Sequence, residues 1–383
     1  MNCAEVLVIG GGIAGMSAAA ALAGHARVVV LEAEQAVGYH SSGRSATYYH
    51  FGIGNRAVRA MTAFSREFFE QPPVDFADQP FCRPTPALFV ARPSMVEALA
   101  ALEAEMQLFT DTIERIDEKG MLAMVPVLKT GGDDIVKGVV DYGGRRLDAD
   151  RLLQAYARRV KYGKGDTVIG ARVAGIDYKA GLWQVTTERG QQFAAPVLIN
   201  AAGAWADHVA GLAGVRPLGL EPKRRTVIMF DPPNGIDASE WPFVKAAVDD
   251  FYMIPESGRI LASPVDEVDS PPTDAQPEEY DLALAAWKVE EYTTMTVPRI
   301  QHRWAGLRSF VPDRVPTAGF APDADGFFWL AGQGGYGLQT APAMAAIVSA
   351  LVTGGSWPEG LAAFGLTPDQ VLPDRLVGRE VSV

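Results

Sequence analysis

Gly10, Gly12 and Gly15 follow an apolar run, VLVI, and spell G-x-G-x-x-G, while Glu32 closes a second apolar run, RVVVLE. Each glycine has a mechanical task in a phosphate cradle. The first permits a tight turn, the second lets a pyrophosphate approach bare backbone, and the third lets the following helix lie close to the sheet. An acid about twenty residues on is the group that holds a ribose hydroxyl. A glycine triplet alone is an ordinary turn. Strand, glycines, alanine-rich helix and acid in that order point to a dinucleotide.

The elements that must position these residues are legible around them. A helix from Ile13 to Ala23, stopped by Gly24, would aim its free amides at the phosphates. Residues 33–55 are rich in Gly, Ser and Tyr and read as a loop beside the ligand. Arg56 to Glu70 carries Val58, Met61, Phe64, Phe68 and Phe69 on one helical face, and Pro72 and Pro73 end it. Four prolines between Pro80 and Pro93 surround a short strand, ALFVA, and open what reads as a second domain. Helices are expected from Ser94 to Phe109, Asp117 to Met124 and Leu147 to Val160, the last capped by Asp148 or Asp150. Strands are expected at Val136 to Asp141, Thr167 to Ile176, Trp183 to Thr187, Val197 onward and Pro217 to Phe230, with two more between Phe243 and Ser263. The acidic, proline-rich stretch from Val265 to Tyr280 reads as a solvated face, followed by a helix from Glu278 to Thr294. Near the C-terminus, Phe327 to Ala331 is a strand, and Gly332, Gly334 and Gly337 imitate the first motif. No acid-ended strand follows, so this reads as a loop presenting backbone and a helix N-terminus. Thr340 would cap that helix and Gly354 would end it.

Bulk properties narrow the function classes. At 383 residues two domains are expected, and the net charge of -12 disfavours nucleic-acid partners, which need clustered Lys and Arg. Cys3 and Cys82 match no metal or disulfide spacing and read as buried thiols, and the five histidines are scattered, so no metal site is expected. No long uncharged apolar run suggests a transmembrane helix, and no basic leader precedes the first strand, so a cytoplasmic protein is expected.

Four separated motifs, GGGIAG, GRSA near residue 45, NAAGAW near residue 203 and GLRSF…GQGGYGLQT, resemble the D-amino-acid oxidase group of flavoproteins. The stretches GYHSSGRSA, AGLAGVRPLGLEPKRR, WAGLRSF and QGGYGLQ are most similar to its FAD-dependent D-arginine dehydrogenase branch. The resemblance implies an α/β fold: a discontinuous Rossmann-type FAD domain over residues 1–76, 146–216 and 302–383, with an antiparallel-sheet substrate domain over 77–145 and 217–301. It implies non-covalent FAD, an amino-acid substrate, and a quinone, another carrier or oxygen as electron acceptor.

Under that resemblance Gly10, Gly12, Ile13, Ala14, Gly15, Glu32 and Ala33 hold the adenosine diphosphate part. Ser41, Ser42, Arg44, Ser45, Ala46 and Thr47 line the middle of FAD, and Val173, Ala202, Gly203 and Trp205 flank its far side. Gly335, Tyr336, Gly337, Leu338 and Gln339 approach the isoalloxazine ring. Arg225 and Arg308 match the branch's carboxylate-binding arginines, and Tyr252 supplies a hydroxyl. A planar guanidinium suits that task because it grips a carboxylate bidentately. Arg224, its neighbour, would face the other way on a strand and be structural.

Three positions depart from the branch. Its active-site histidine falls at Tyr48, with His50 two residues on as a partial substitute. Its lid tyrosine falls at Ile53, and its guanidinium-binding glutamate at Ala87. Losing that acid would leave a substrate cation unpaired, so neutral or apolar D-amino acids are expected over D-arginine. The expected reaction is hydride loss from Cα to the flavin, with the imine then hydrolysed. The alternatives are an oxidase of glycine, sarcosine or another secondary amine, and, further off, a non-catalytic nucleotide-binding protein.

Overall fold

The computed structural model describes residues 2–233 and 235–376. Its centre is a six-stranded sheet in the spatial order Asp166–Val168, Val28–Leu31, Val6–Ile9, Val197–Asn200, Phe327–Ala331 and Thr317–Phe320, parallel except for the last strand. Val6–Ile9 and Phe327–Ala331 are buried along their whole length, which is why they read as continuous apolar runs and not as alternating ones. The helix Ile13–Leu22 is apolar all round because it is enclosed, packed between the helices Ala149–Tyr162 and Gly337–Thr353.

The second large sheet has nine strands. Its path runs Val268–Asp269, Glu221–Phe230, Arg259–Ser263, Tyr252–Glu256, Phe243–Ala246, Ala87–Ala91, Lys137–Asp141 and Ile113–Ile116, with His302–Phe310 branching onto Glu221–Phe230. All pairings are antiparallel except Phe243–Ala246 with Ala87–Ala91. Helix Glu279–Tyr292 covers one face. Two smaller sheets complete the fold: one of four strands around Leu182–Thr187, and one joining Tyr48–Tyr49, Arg145–Leu147 and Cys82–Pro84.

Several expectations are corrected. The segment from Thr167 to Ile176 is two strands in two sheets, because Gly170, at φ 61°, turns the chain after Asp166–Val168 has paired with Val28–Leu31. Phe243 to Ser263 holds three strands, since a second reversal at Ala247–Asp250 separates Phe243–Ala246 from Tyr252–Glu256. Thr340 does not cap the last long helix. That helix begins at Gly337, and the Thr340 hydroxyl, buried inside it, donates to the Tyr336 carbonyl. The first helix ends at Leu22, before Gly24, and Cys3 is exposed on an edge strand rather than buried. His302–Phe310, expected to open the third FAD-binding segment, hydrogen-bonds along Glu221–Phe230 and belongs to the nine-stranded sheet.

The glycine turn is the tightest joint between these layers. A Cβ at Gly15 would lie 1.9 Å from the Gly10 carbonyl oxygen, and one at Gly10 would lie 2.4 Å from the Ala201 carbonyl oxygen. Gly15→Ala must therefore push helix and sheet apart at a cost of about 1–3 kcal/mol, read as a lower midpoint in chemical denaturation. An unchanged midpoint would mean that the helix is free to shift.

Candidate active site

Two adjoining cavities meet over Gly12, Ser41, Ser42, Ala201, Gly203 and Ala204. The first extends along the C-terminal ends of the parallel strands, where Gly10, Glu32, Ala33, Val173, Ala202 and Trp205 line it. Glu32 is buried there. One carboxylate oxygen accepts from Gly11 N at 2.6 Å and the other from Glu34 N at 2.8 Å. Ser42 Oγ accepts the Ile13 amide at 2.9 Å, so a neighbouring loop caps a helix that carries no cap of its own. That loop is more ordered than its composition suggests: Ser41–Arg44 is a short 3-10 helix, and Arg44 is anchored by Asp274 and by the carbonyls of Ala275 and Ala305.

The second cavity runs from Ile13, Ala14, Arg44, Ser45, Ala46 and Thr47 to the nine-stranded sheet, and Gly335, Gly337, Leu338 and Gln339 form part of its wall. Sheet register decides which side chains face it. Arg225 is paired with Gly306, and Lys223 with Arg308, so the two arginines are diagonal neighbours on one face. Gly306 opposite Arg225 leaves the cavity unobstructed. The same face brings in Val227, Tyr252, Lys245 and Phe243, since Tyr252 pairs with both Ser263 and Lys245. Arg224 points the other way and binds Asp281 and Glu278, as its place on the strand predicts.

Burial sets the charge states. Arg225 is held down to about 10, chiefly by burial and then by the like charge of Arg308. Burial raises the Tyr252 phenol, with Arg225 opposing, so it stays protonated. His50 is lowered to about 3, first by burial and then by Lys245 and Arg59. Its Nδ1 accepts from Gly52 N at 3.1 Å, which leaves it a neutral imidazole packed at tilted angles among Tyr48, Phe89 and Phe243. Lys245 has 7% of its side chain exposed; its ammonium is shared among the carbonyls of Ala246 and Val248 and the Asp249 carboxylate at 3.0 Å.

A model of the family of FAD dependent oxidoreductases matches residues 5–351. The chain belongs to this family. It is 27% identical over 252 residues to an uncharacterized oxidoreductase, YurR, of Bacillus subtilis, a match covering 63% of each protein. The fold is shared with L-proline dehydrogenase from P. horikoshii (22% identity, TM-score 0.83, 98% of both chains) and glycine oxidase from Geobacillus kaustophilus (20%, TM-score 0.80, 96% of this chain and 99% of that one). These likenesses bear out the Rossmann-type FAD fold. They do not single out the D-arginine dehydrogenase branch.

The residues present fit FAD. A bare glycine turn, a buried carboxylate and two joined cavities, the second of them lined by the arginines, suit an elongated dinucleotide. Two sequence expectations fare differently. Tyr336 does not line the cavity; its ring packs against Phe310 and Val58, with the Arg308 guanidinium 5.8 Å from its centroid. Tyr48 lines the cavity with its ring, but its hydroxyl is spent on the carbonyls of Thr85 and Pro86 and cannot act like a histidine.

Sequence reasoning missed Lys245, Phe243 and two acids. Asp266 and Glu267 fall in the stretch expected to be a solvated face, yet the Asp266 carbonyl accepts from Arg225 Nε at 2.6 Å and Glu267 bridges both arginines. Acid pairs in proline-rich loops carry no periodicity, so only the fold could bring them here. Among the described residues no helix is long and apolar enough to cross a membrane, and no cluster of three metal-ligating side chains occurs.

The state of His50 has a measurable consequence. Its folded value lies below its ordinary 6.5, so between about 6.5 and 3 the unfolded chain binds a proton that the folded chain refuses. Stability is full above 6.5 and falls as pH drops through that window, by up to about 1.4 kcal/mol per pH unit. Replacing His50 by Asn should flatten this part of the curve of unfolding midpoint against pH; an unaltered slope would place the effect elsewhere.

Proposed function

We propose that this FAD-dependent oxidoreductase oxidises an α-amino acid of D configuration, with a neutral or apolar side chain, to the imino acid. Water then hydrolyses the imine to a 2-oxo acid and ammonia. The observation that carries this reading is the placement of Arg225 and Arg308 as diagonal neighbours on one sheet face, with Tyr252 beside them, in a cavity continuous with the nucleotide crease. Bound FAD supplies the two-electron acceptor for the Cα hydride. The protein's part is to bind and orient. Two guanidiniums hold the carboxylate, and the Tyr252 phenol, kept protonated by burial, donates a further hydrogen bond. The cationic surroundings of Arg225, Arg308 and Lys245 favour the neutral amine, whose lone pair closes the C=N bond of an iminium as the hydride leaves Cα. No dedicated base is then needed.

The side-chain preference is supported by the walls. Ile53, Val227, Phe243 and Val265 are apolar, and the one acid among the lining residues, Asp249, is already paired with Lys245. A substrate cation would find no free carboxylate, which is costly in a closed cavity. A second reading, an oxidase of glycine, sarcosine or another secondary amine, draws support from the names of the glycine oxidase and proline dehydrogenase structures and would use the same clamp.

Anaerobic mixing with D-, L- and N-methyl amino acids, followed by bleaching of the visible flavin band, tests both. D-leucine or D-phenylalanine should reduce the flavin with higher kcat/KM than D-arginine; faster bleaching by N-methyl amino acids or proline would favour the second reading, and no bleaching by any would defeat both. Arg308→Met should lower kcat/KM by about 30-fold or more, as expected when one partner of a buried charged pair is removed.

A further inference from the structure

We infer that Glu267 is a positioning residue of the carboxylate clamp: it holds the outer edges of Arg225 and Arg308 so that their remaining donors converge on one substrate carboxylate. The inference rests on the clamp reading above. Glu267 Oε1 is a single acceptor shared by Arg225 Nη2 at 3.3 Å and Arg308 Nη1 at 2.9 Å, while Oε2 pairs with Arg314. It does not line the cavity, whereas both arginines do. Among the described residues Arg225 Nη1 and Arg308 Nε and Nη2 make no hydrogen bond. The anchored edges therefore face Glu267, while the remaining Nε and Nη2 edge of Arg308 lies against Gly335 of the cavity wall, whose missing Cβ keeps that edge uncovered.

The physical need is plain. Two buried guanidiniums on neighbouring strands repel, and after burial it is Arg308 that most opposes the charging of Arg225. A carboxylate between their outer edges offsets that repulsion without occupying the ligand's place. The chain is bent to deliver it. Val265 sits at φ 56°, a left-handed conformation unusual for a β-branched residue, and this turn presents the Asp266 carbonyl and the Glu267 carboxylate to the arginines in succession. Arg314, whose guanidinium stacks 3.9 Å over the Phe310 ring, fixes the other oxygen of Glu267.

The test uses the FAD-loaded enzyme and two readouts: the Kd of benzoate from its perturbation of the flavin spectrum, and the anaerobic flavin-reduction rate at saturating amino acid. Glu267→Gln keeps the side chain's shape and separates charge from packing; Glu267→Asp is the conservative rescue. Glu267→Gln should raise the benzoate Kd and the substrate KM by about tenfold, the scale of one charge-assisted contact, with the saturated reduction rate nearly unchanged and Glu267→Asp recovering part of the loss. Unchanged values in Glu267→Gln while Arg308→Met still abolishes benzoate binding would overturn the positioning role and leave the clamp intact. Tighter benzoate binding in Glu267→Gln would overturn it differently, by showing that Glu267 competes with the ligand. Unchanged benzoate binding in Arg308→Met would instead overturn the clamp reading itself.

Discussion

Two guanidinium groups cannot sit side by side in an apolar cavity unless something opposes their repulsion. In this protein the opposition comes from both sides of the strand pair. Asp266 and Glu267 meet Arg225 and Arg308 from a loop, and Lys245, a third cation nearby, is matched by Asp249 from a hairpin turn. The nine-stranded sheet is what makes this balance possible. Its register puts Arg225, Arg308, Tyr252, Lys245 and Phe243 on one face and sends Arg224 to the other, where Asp281 receives it.

The part built on the six-stranded sheet obeys a different constraint, that of close approach. Carbonyl oxygens stand so near Gly10 and Gly15 that neither tolerates a Cβ. The buried Glu32 carboxylate ties the turn to the second strand through Gly11 N, and Ser42 caps the helix from a separate loop. The loop that carries Ser42 also carries Arg44, which is bound to the strand that bears Arg308, through the Ala305 carbonyl. The glycine turn and the arginine pair are thus mechanically joined.

Neutral groups fill the space between. His50 is pressed among aromatic rings, and the Tyr48 hydroxyl is consumed by two backbone carbonyls. Their positions relative to a motif suggest chemical groups. Their burial makes them walls: a side chain's chemistry depends on which of its atoms face the cavity, and motif position does not specify that.

The sequence by itself determined the elements whose pattern is local. The first strand–turn–helix unit, the helix Arg56–Glu70 and the strands Ala87–Ala91 and Phe327–Ala331 follow from apolar periodicity, glycines and prolines, and the opposite facing of Arg224 and Arg225 follows from strand geometry. The tertiary structure alone decided what depends on pairing between distant segments. Strand register set Arg308 diagonal to Arg225, one left-handed residue at Val265 turned an acidic loop inward, and the split of residues 166–179 between two sheets followed from hydrogen bonds to strands far away in sequence. Such pairings are chosen by the burial of whole faces at once, an energy to which no short window of residues has access.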